Sequence, residues 1–111
     1  MNPKDFDELY QRMHSEEMEI GRTKGCEYAS DVDRLDNFKR LGAEIKCPHC
    51  GKPVGPFVIL WVYLKKHMDA ILHYINHQKA LSEPPEGRIK DSRVFLGLLR
   101  GLIQETEEHK N

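Results

Sequence analysis

The chain has 111 residues, 39% hydrophobic and 32% charged, with a formal net charge of −1, a composition expected of a soluble globular chain that forms one domain spanning 1–111. Its longest apolar run, Pro56 to Leu64, falls far short of the roughly 20 residues that cross a bilayer, and the acidic, amphipathic start MNPKDFDELY is not a signal peptide, so no membrane and a cytoplasmic location are expected. Residues 1–33 carry four Lys/Arg against nine Asp/Glu and residues 34–93 eleven against six, an imbalance too small for a duplex nucleic-acid binder but suited to a local anionic ligand.

Asn2-Pro3 supplies a capping side chain and a proline for the first helical position, and Phe6, Leu9, Met13 and Ile20 recur at helical spacing behind it, predicting a helix over 3–23. The segment TKGCEYAS is a turn, with Ser30 or Asp31 as the next cap. A short second helix over 32–41 turns Val32, Leu35, Phe38 and Leu41 inward, and Gly42 closes it. A loop over 43–55 holds CPHC. The third helix, 56–78, carries Phe57, Leu60, Leu64, Met68, Ile71 and Ile75 at three- and four-residue spacing, with Trp61 and Leu72 widening that face. SEPPEG breaks the chain, and a fourth helix over 88–108 turns Ile89, Leu96, Leu99 and Ile103 inward. With no strand pattern or repeat, the expected class is all-α: a small bundle of about four helices with a CxxC zinc-knuckle loop inserted between helices 2 and 3.

The loop IKCPHCGKPVG has the makings of half a structural zinc site. Cys47 and Cys50 stand three apart with Pro48 between them and Gly51 just after, which lets backbone amides turn toward the sulfurs. Three cysteines, two of them paired in this way, fit a reducing compartment and a metal better than a disulfide framework. The remaining ligands have three candidate sources: Cys26 with a histidine of the same chain, the same pair from a second subunit, or His49 with another histidine. A site shared between subunits would make zinc an assembly clasp, and a homo-oligomer is expected.

Other polar groups have a plain reading beside the functional one. His73 and His77, four apart with Asp69 one turn earlier, have metal-competent spacing, yet such residues are ordinary on the outer face of an amphipathic helix. Asp33-Arg34 with Asn37, and Glu83, Arg88 and Asp91, lie near helix starts, where caps and salt bridges commonly form. The same residues could instead form a pocket in which guanidinium groups take a phosphate and carboxylates hold a base, a ribose or Mg²⁺.

The order of the blocks favours the pocket. KGCEYAS, DRLDNFKR, WVYLKKHMDAI and LSEPPEGRIKDSRVFLGLLRGLI, together covering Lys24 to Ile103, resemble the successive blocks of a family of small phage and bacterial proteins described as a nucleotide-modification-associated domain. CPHC lies where many relatives have a plain loop. The resemblance implies a helical phage-type protein, host-cytoplasmic if phage-encoded, connected with nucleotide metabolism. Its polar positions fall here on Lys24, Tyr28, Asp33, Arg34, Asn37, Lys66, His67, Glu83, Arg88 and Asp91. The expectation is a nucleotide-type ligand whose phosphate meets Arg34, Lys66 and Arg88 while Asp33, Asn37 and His67 set its orientation.

The layout is also similar to the all-α nucleoside triphosphate pyrophosphohydrolases of the MazG type. Their ExxE followed by ExxD carboxylates have only a partial counterpart in Glu16 and Glu19, with the later partner to be pieced together from Glu83, Glu86 or Asp91. An Mg²⁺-dependent hydrolase using Glu16, Glu19, Asp33 and Asp91 is therefore the alternative. An adaptor that clamps a host protein with its zinc loop is another.

Overall fold

A computed structural model of the chain describes residues 1–28, 33–80 and 82–109, and of 24–28 the backbone alone. It contains four helices: α1 (Pro3–Tyr28), α2 (Asp36–Glu44), α3 (Pro56–His77) and α4 (Pro85–His109). Among the described residues the only extended pairing is an isolated bridge, Lys46 with Pro53. Among the described residues every regular element is a helix.

α1 starts where a side chain satisfies one of its free amides. The Asp5 amide donates to Asn2 Oδ1 at 2.8 Å, with Pro3 at the first position. α1 continues through Gly21 to Tyr28, beyond the expected end at 23, because a helical glycine costs only about 1 kcal/mol relative to alanine. α2 starts later than expected: the Leu35 amide donates to Asp33 Oδ1 at 2.9 Å and the Asp36 amide to Asp33 O at 3.2 Å, so Asp33 opens a turn ahead of the helix. Ser30, Asp31 and Val32, assigned to that start from the sequence, lie outside the described residues. α3 begins at Pro56 behind Gly55 (φ 87) and ends on Gln78 in the left-handed conformation (φ 56), whose amide reaches Tyr74 O at 2.7 Å. α4 begins at Pro85, three residues before the expected Arg88, since proline fits a first turn.

Gly42 does not close α2. It lies inside the helix and is buried, because α2 crosses the start of α3 there: Gly42 O accepts from the Gly55 amide at 3.0 Å. A Cβ at this position would stand 2.4 Å from the Gly55 carbonyl carbon. The glycine is required for close approach rather than for termination.

α3 and α4 pack as an antiparallel pair, with α2 against α3 and α1 against α4. Leu35, Leu60 and Leu102 form the core, with Phe38, Phe95, Leu98 and Leu99 packed around it. Leu60, only 1% exposed, gains roughly 2–3 kcal/mol from burial. The buried line of α3 is Ile59, Leu60, Leu64 and His67. Phe57, Trp61, Met68, Leu72 and Ile75 of α3, with Ile89, Leu96 and Ile103 of α4, were expected on the inward faces and are exposed instead. Helical periodicity marks which faces are apolar, not which of them a neighbouring helix covers.

Candidate functional site

All four helices, with the turn leading into α2, contribute to a cavity of about 710 Å³, within the roughly 300–1,000 Å³ typical of small-molecule sites. α1 gives Glu17, Met18, Ile20, Gly21 and Arg22 to its lining. Arg34 comes from the turn before α2, and Asn37 and Phe38 from α2 itself. Tyr63, Lys66 and His67 project from α3, and Asp91, Val94, Phe95 and Leu98 from α4. Tyr63 and Lys66 share a flank of α3 because they stand three apart, and Asp91, Val94, Phe95 and Leu98 repeat at three- and four-residue steps on α4.

One part of the lining is aromatic. Tyr63 and Phe95 stack with centroids 5.8 Å apart and an interplanar angle of 10°, and Phe38 meets both rings edge-on. His67 continues the stack, 5.4 Å from Phe95. The other part is polar, with Arg22, Arg34, Asn37, Lys66 and Asp91 bordering the same space.

His67 is the buried titratable group of the site. Burial pushes its imidazole below the ordinary value of 6.5; Asp91 opposes this, Arg88 and Lys66 reinforce it, and Glu83 opposes it. Asp91 Oδ2 stands 4.0 Å from Nδ1. Arg88 Nη1 is closer, at 3.2 Å from Nδ1.

Of the residues singled out from the sequence, Arg34, Asn37, Lys66, His67 and Asp91 come together at the cavity. Arg88 is not part of the lining but supports it from behind. Its guanidinium contacts His67, lies 3.6 Å from Glu83 Oε2 and donates to Ser82 Oγ at 3.4 Å, which also accounts for Glu83. Asp33 accepts from the Leu35 amide and pairs with Lys39 Nζ at 2.7 Å; Lys39 also reaches Glu105 Oε2 at 2.9 Å. The hydrogen bond from Lys39, then that from the Leu35 amide, holds the Asp33 carboxyl below its ordinary 3.8, and the same bridge raises Lys39. Asp33 thus makes the capping and salt-bridge contacts of its plain reading. Lys24 and Tyr28 fall on side chains outside those described.

The sequence reading missed Glu17 and Arg22, which face the cavity from α1. Arg93 Nε lies 2.6 Å from Glu17 Oε1, misaligned for a hydrogen bond, so charge holds the pair. The guanidinium of Arg93 also lies over the Tyr10 ring, 4.6 Å from its centroid. These contacts tie α1 to α4 across 75 or more residues of chain, and nothing in local spacing announces them.

The carboxylates considered for Mg²⁺ are dispersed. Glu16 pairs with Lys90 at 3.2 Å and Glu19 with Arg22 at 3.8 Å, while Asp33 is held by Lys39. Only Asp91 of the four lines the cavity. Among the described residues no three His, Cys, Asp or Glu side chains converge as a metal cluster.

The CPHC loop stands apart from the cavity. The Cys47 amide donates to Lys52 O at 2.9 Å, the Gly51 amide to Cys47 O at 2.8 Å, and Gly51 takes a φ of 73. This tight turn aims the amides of Cys50 and His49 at the Cys47 sulfur; with the Cys50 thiol they hold Cys47 below its ordinary 9.0. Both thiols are free. The donor set suits a soft cation such as zinc and supplies two of the four ligands a structural site takes. The Cys26 side chain lies outside those described.

No family model, curated protein or solved structure matches the chain.

Proposed function

We propose that the cavity binds a nucleotide-type small molecule. The observation that carries this reading is the meeting, in one space, of an aromatic cluster with cationic and amide side chains. The base lies against Phe38, Tyr63 and Phe95, whose faces and edges tolerate any purine or pyrimidine. Arg34, Lys66 and Arg22 take the phosphates, with Arg34 offering a bidentate fork and Lys66 a point charge. Asn37 and Asp91 are placed for ring nitrogens or ribose hydroxyls, and neutral His67 contributes a hydrogen bond. The sequence resemblance points the same way and is the only support for a phage origin.

Binding rather than hydrolysis is the function this arrangement favours, because two-metal hydrolysis needs carboxylates that converge and these diverge. Zinc belongs to the proposal as a structural element of the CPHC loop, where it would stiffen the α2–α3 connection.

Calorimetric titration of the full chain with nucleoside mono- and triphosphates tests the reading. Arg34→Ala and Lys66→Ala should each weaken binding by about tenfold or more, as charge-assisted contacts of roughly 1.5–3 kcal/mol require. Equal affinity in both variants and the parent would sink the pocket. Release of phosphate or pyrophosphate that stops with Asp91→Asn and with EDTA would replace a binder by a hydrolase.

A further inference from the structure

We propose that the side of the α3–α4 pair turned away from the cavity is the interface of a homodimer, two such pairs packing face to face. The buried line of α3 runs through Leu60, Leu64 and His67. At 3.6 residues per turn, the cavity residues Tyr63 and Lys66 lie to one side of it, whereas Trp61, Met68, Leu72 and Ile75 lie about a quarter-turn to the other. α4 repeats the division. Asp91, Val94 and Leu98 flank its inner line on the cavity side, and Ile89, Leu96 and Ile103 flank it on the opposite side. Because the helices run antiparallel, the two outer stripes fall on the same side of the pair and form one continuous surface. α1 leaves this surface open, since it meets α4 through Glu16 with Lys90 and Glu17 with Arg93.

The spacing is that of helices that pack on helices. Val58, Trp61, Met68, Leu72 and Ile75 follow alternating steps of three and four, with Lys65 in the one remaining place, and Ile89, Leu96 and Ile103 are seven apart. Trp61 is 59% exposed, Ile75 60%, Leu72 54% and Leu96 50%. Together the eight side chains expose roughly 800 Å², more than the ~300–600 Å² patch of an ordinary monomer and about one partner's share of a standard interface.

A second copy is the occupant that fits. The surface is two helices wide, which suits a second two-helix face better than one peptide helix. It is apolar, and a two-fold axis through an apolar two-helix face matches it to itself. The charged residues bordering it on α3, Lys65 and Asp69, neutralise each other. On α4 the bordering cations are Arg93, held by Glu17, and Arg100, fewer than the row of unpaired cations that would rim a lipid-binding face. The interface lies opposite the cavity, so assembly and ligand binding fail independently.

Trp61 is the only tryptophan of the chain and reports on this surface directly. At tens of micromolar the full-length protein should sediment at about twice its 13.0 kDa chain mass. Dilution should bring it to the single-chain mass while Trp61 emission shifts to the red. Leu96→Glu, on the other helix, should give monomers with red-shifted emission at every concentration and unchanged helical circular dichroism. Ile75→Lys asks the same question should Leu96→Glu fail to fold. A parent that is monomeric at these concentrations overturns the proposal, whether or not it partitions onto phosphatidylcholine vesicles. So does a dimer that persists in both variants.

Discussion

Arg88 Nη1 lies 3.2 Å from His67 Nδ1, so the imidazole accepts there and its proton sits on Nε2. A cation from α4 thus fixes the tautomer of a buried ring on α3, and burial keeps that ring neutral. Since the folded state holds His67 below its ordinary 6.5, the unfolded chain binds more protons in the interval beneath 6.5. Stability from His67 is whole above that value and is lost as pH falls through the folded-state value, at no more than about 1.4 kcal/mol per pH unit. Urea unfolding between pH 7.5 and 5 should show the loss, and His67→Phe, which keeps the stack on Phe95, should flatten it. A parent equally stable across that range would contradict a neutral buried His67.

Gly42→Ala should destabilise the fold by about 1–3 kcal/mol, because the added methyl meets backbone rather than a movable side chain. The new Cβ would stand 2.4 Å from the Gly55 carbonyl carbon and 2.7 Å from both Gly55 O and Pro56 N. Gly97→Ala is the matched control: nothing lies within 4 Å of its Cβ position, and the gain in helix propensity should stabilise by about 0.5–1 kcal/mol. Midpoints of thermal unfolding moving in opposite directions would confirm the distinction; parallel shifts would remove the close approach of α2 to the α3 start.

Lys39 joins Asp33 to Glu105 and so ties the turn before α2 to the last turns of α4. All three side chains are partly exposed, so Lys39→Met should cost only about 1 kcal/mol. Asp33→Ala should cost somewhat more, as it also removes the acceptor for the Leu35 amide, a loss typically of about 1 kcal/mol. The carboxyl is held below 3.8. Its stabilisation is present above 3.8 and lost as pH falls through the folded value, so an acid-unfolding curve should lose part of its steepness in Asp33→Asn. An unaltered curve would show that the Asp33–Lys39 pair contributes nothing.

Much of this architecture was legible in the sequence. The Asn2-Pro3 cap, the proline start of α3 and the three-four spacing of Leu60, Leu64 and Ile71 each act within a few residues, so pattern alone finds them, whereas the start of α4 at Pro85 was read three residues late because SEPPEG looks like a chain break. Gly42 misled because a glycine needed for close approach looks the same as one that ends a helix. Ile75, Leu96 and Ile103 misled because periodicity does not say what covers an apolar stripe. Five of the eight proposed ligand residues meet at the cavity, whereas Asp33, Glu83 and Arg88 are drawn into pairs set by tertiary packing. Glu17 and Arg22 were beyond reach, since an acidic amphipathic helix gives no sign of which charged residue will face inward.

The CPHC turn makes the sharpest remaining prediction, because its geometry prepares thiolates whose partners must come from elsewhere. Amides of Cys50 and His49 point at the Cys47 sulfur, an arrangement that favours a metal-bound thiolate and is unnecessary for two idle surface thiols. Native mass spectrometry of protein purified without chelator should show bound zinc, and Cys47→Ser should lose it. One zinc per chain, abolished also by Cys26→Ser, would place the third ligand on α1. One zinc per two chains, indifferent to Cys26→Ser, would make the loop pair with its counterpart in a second copy. In either case zinc removal should loosen the 45–55 loop and raise amide exchange at Cys47, Gly51 and Val54, whose backbone hydrogen bonds close the turn. Protein that carries no zinc, and whose exchange is the same with and without added metal, would leave the turn as a plain connection between α2 and α3.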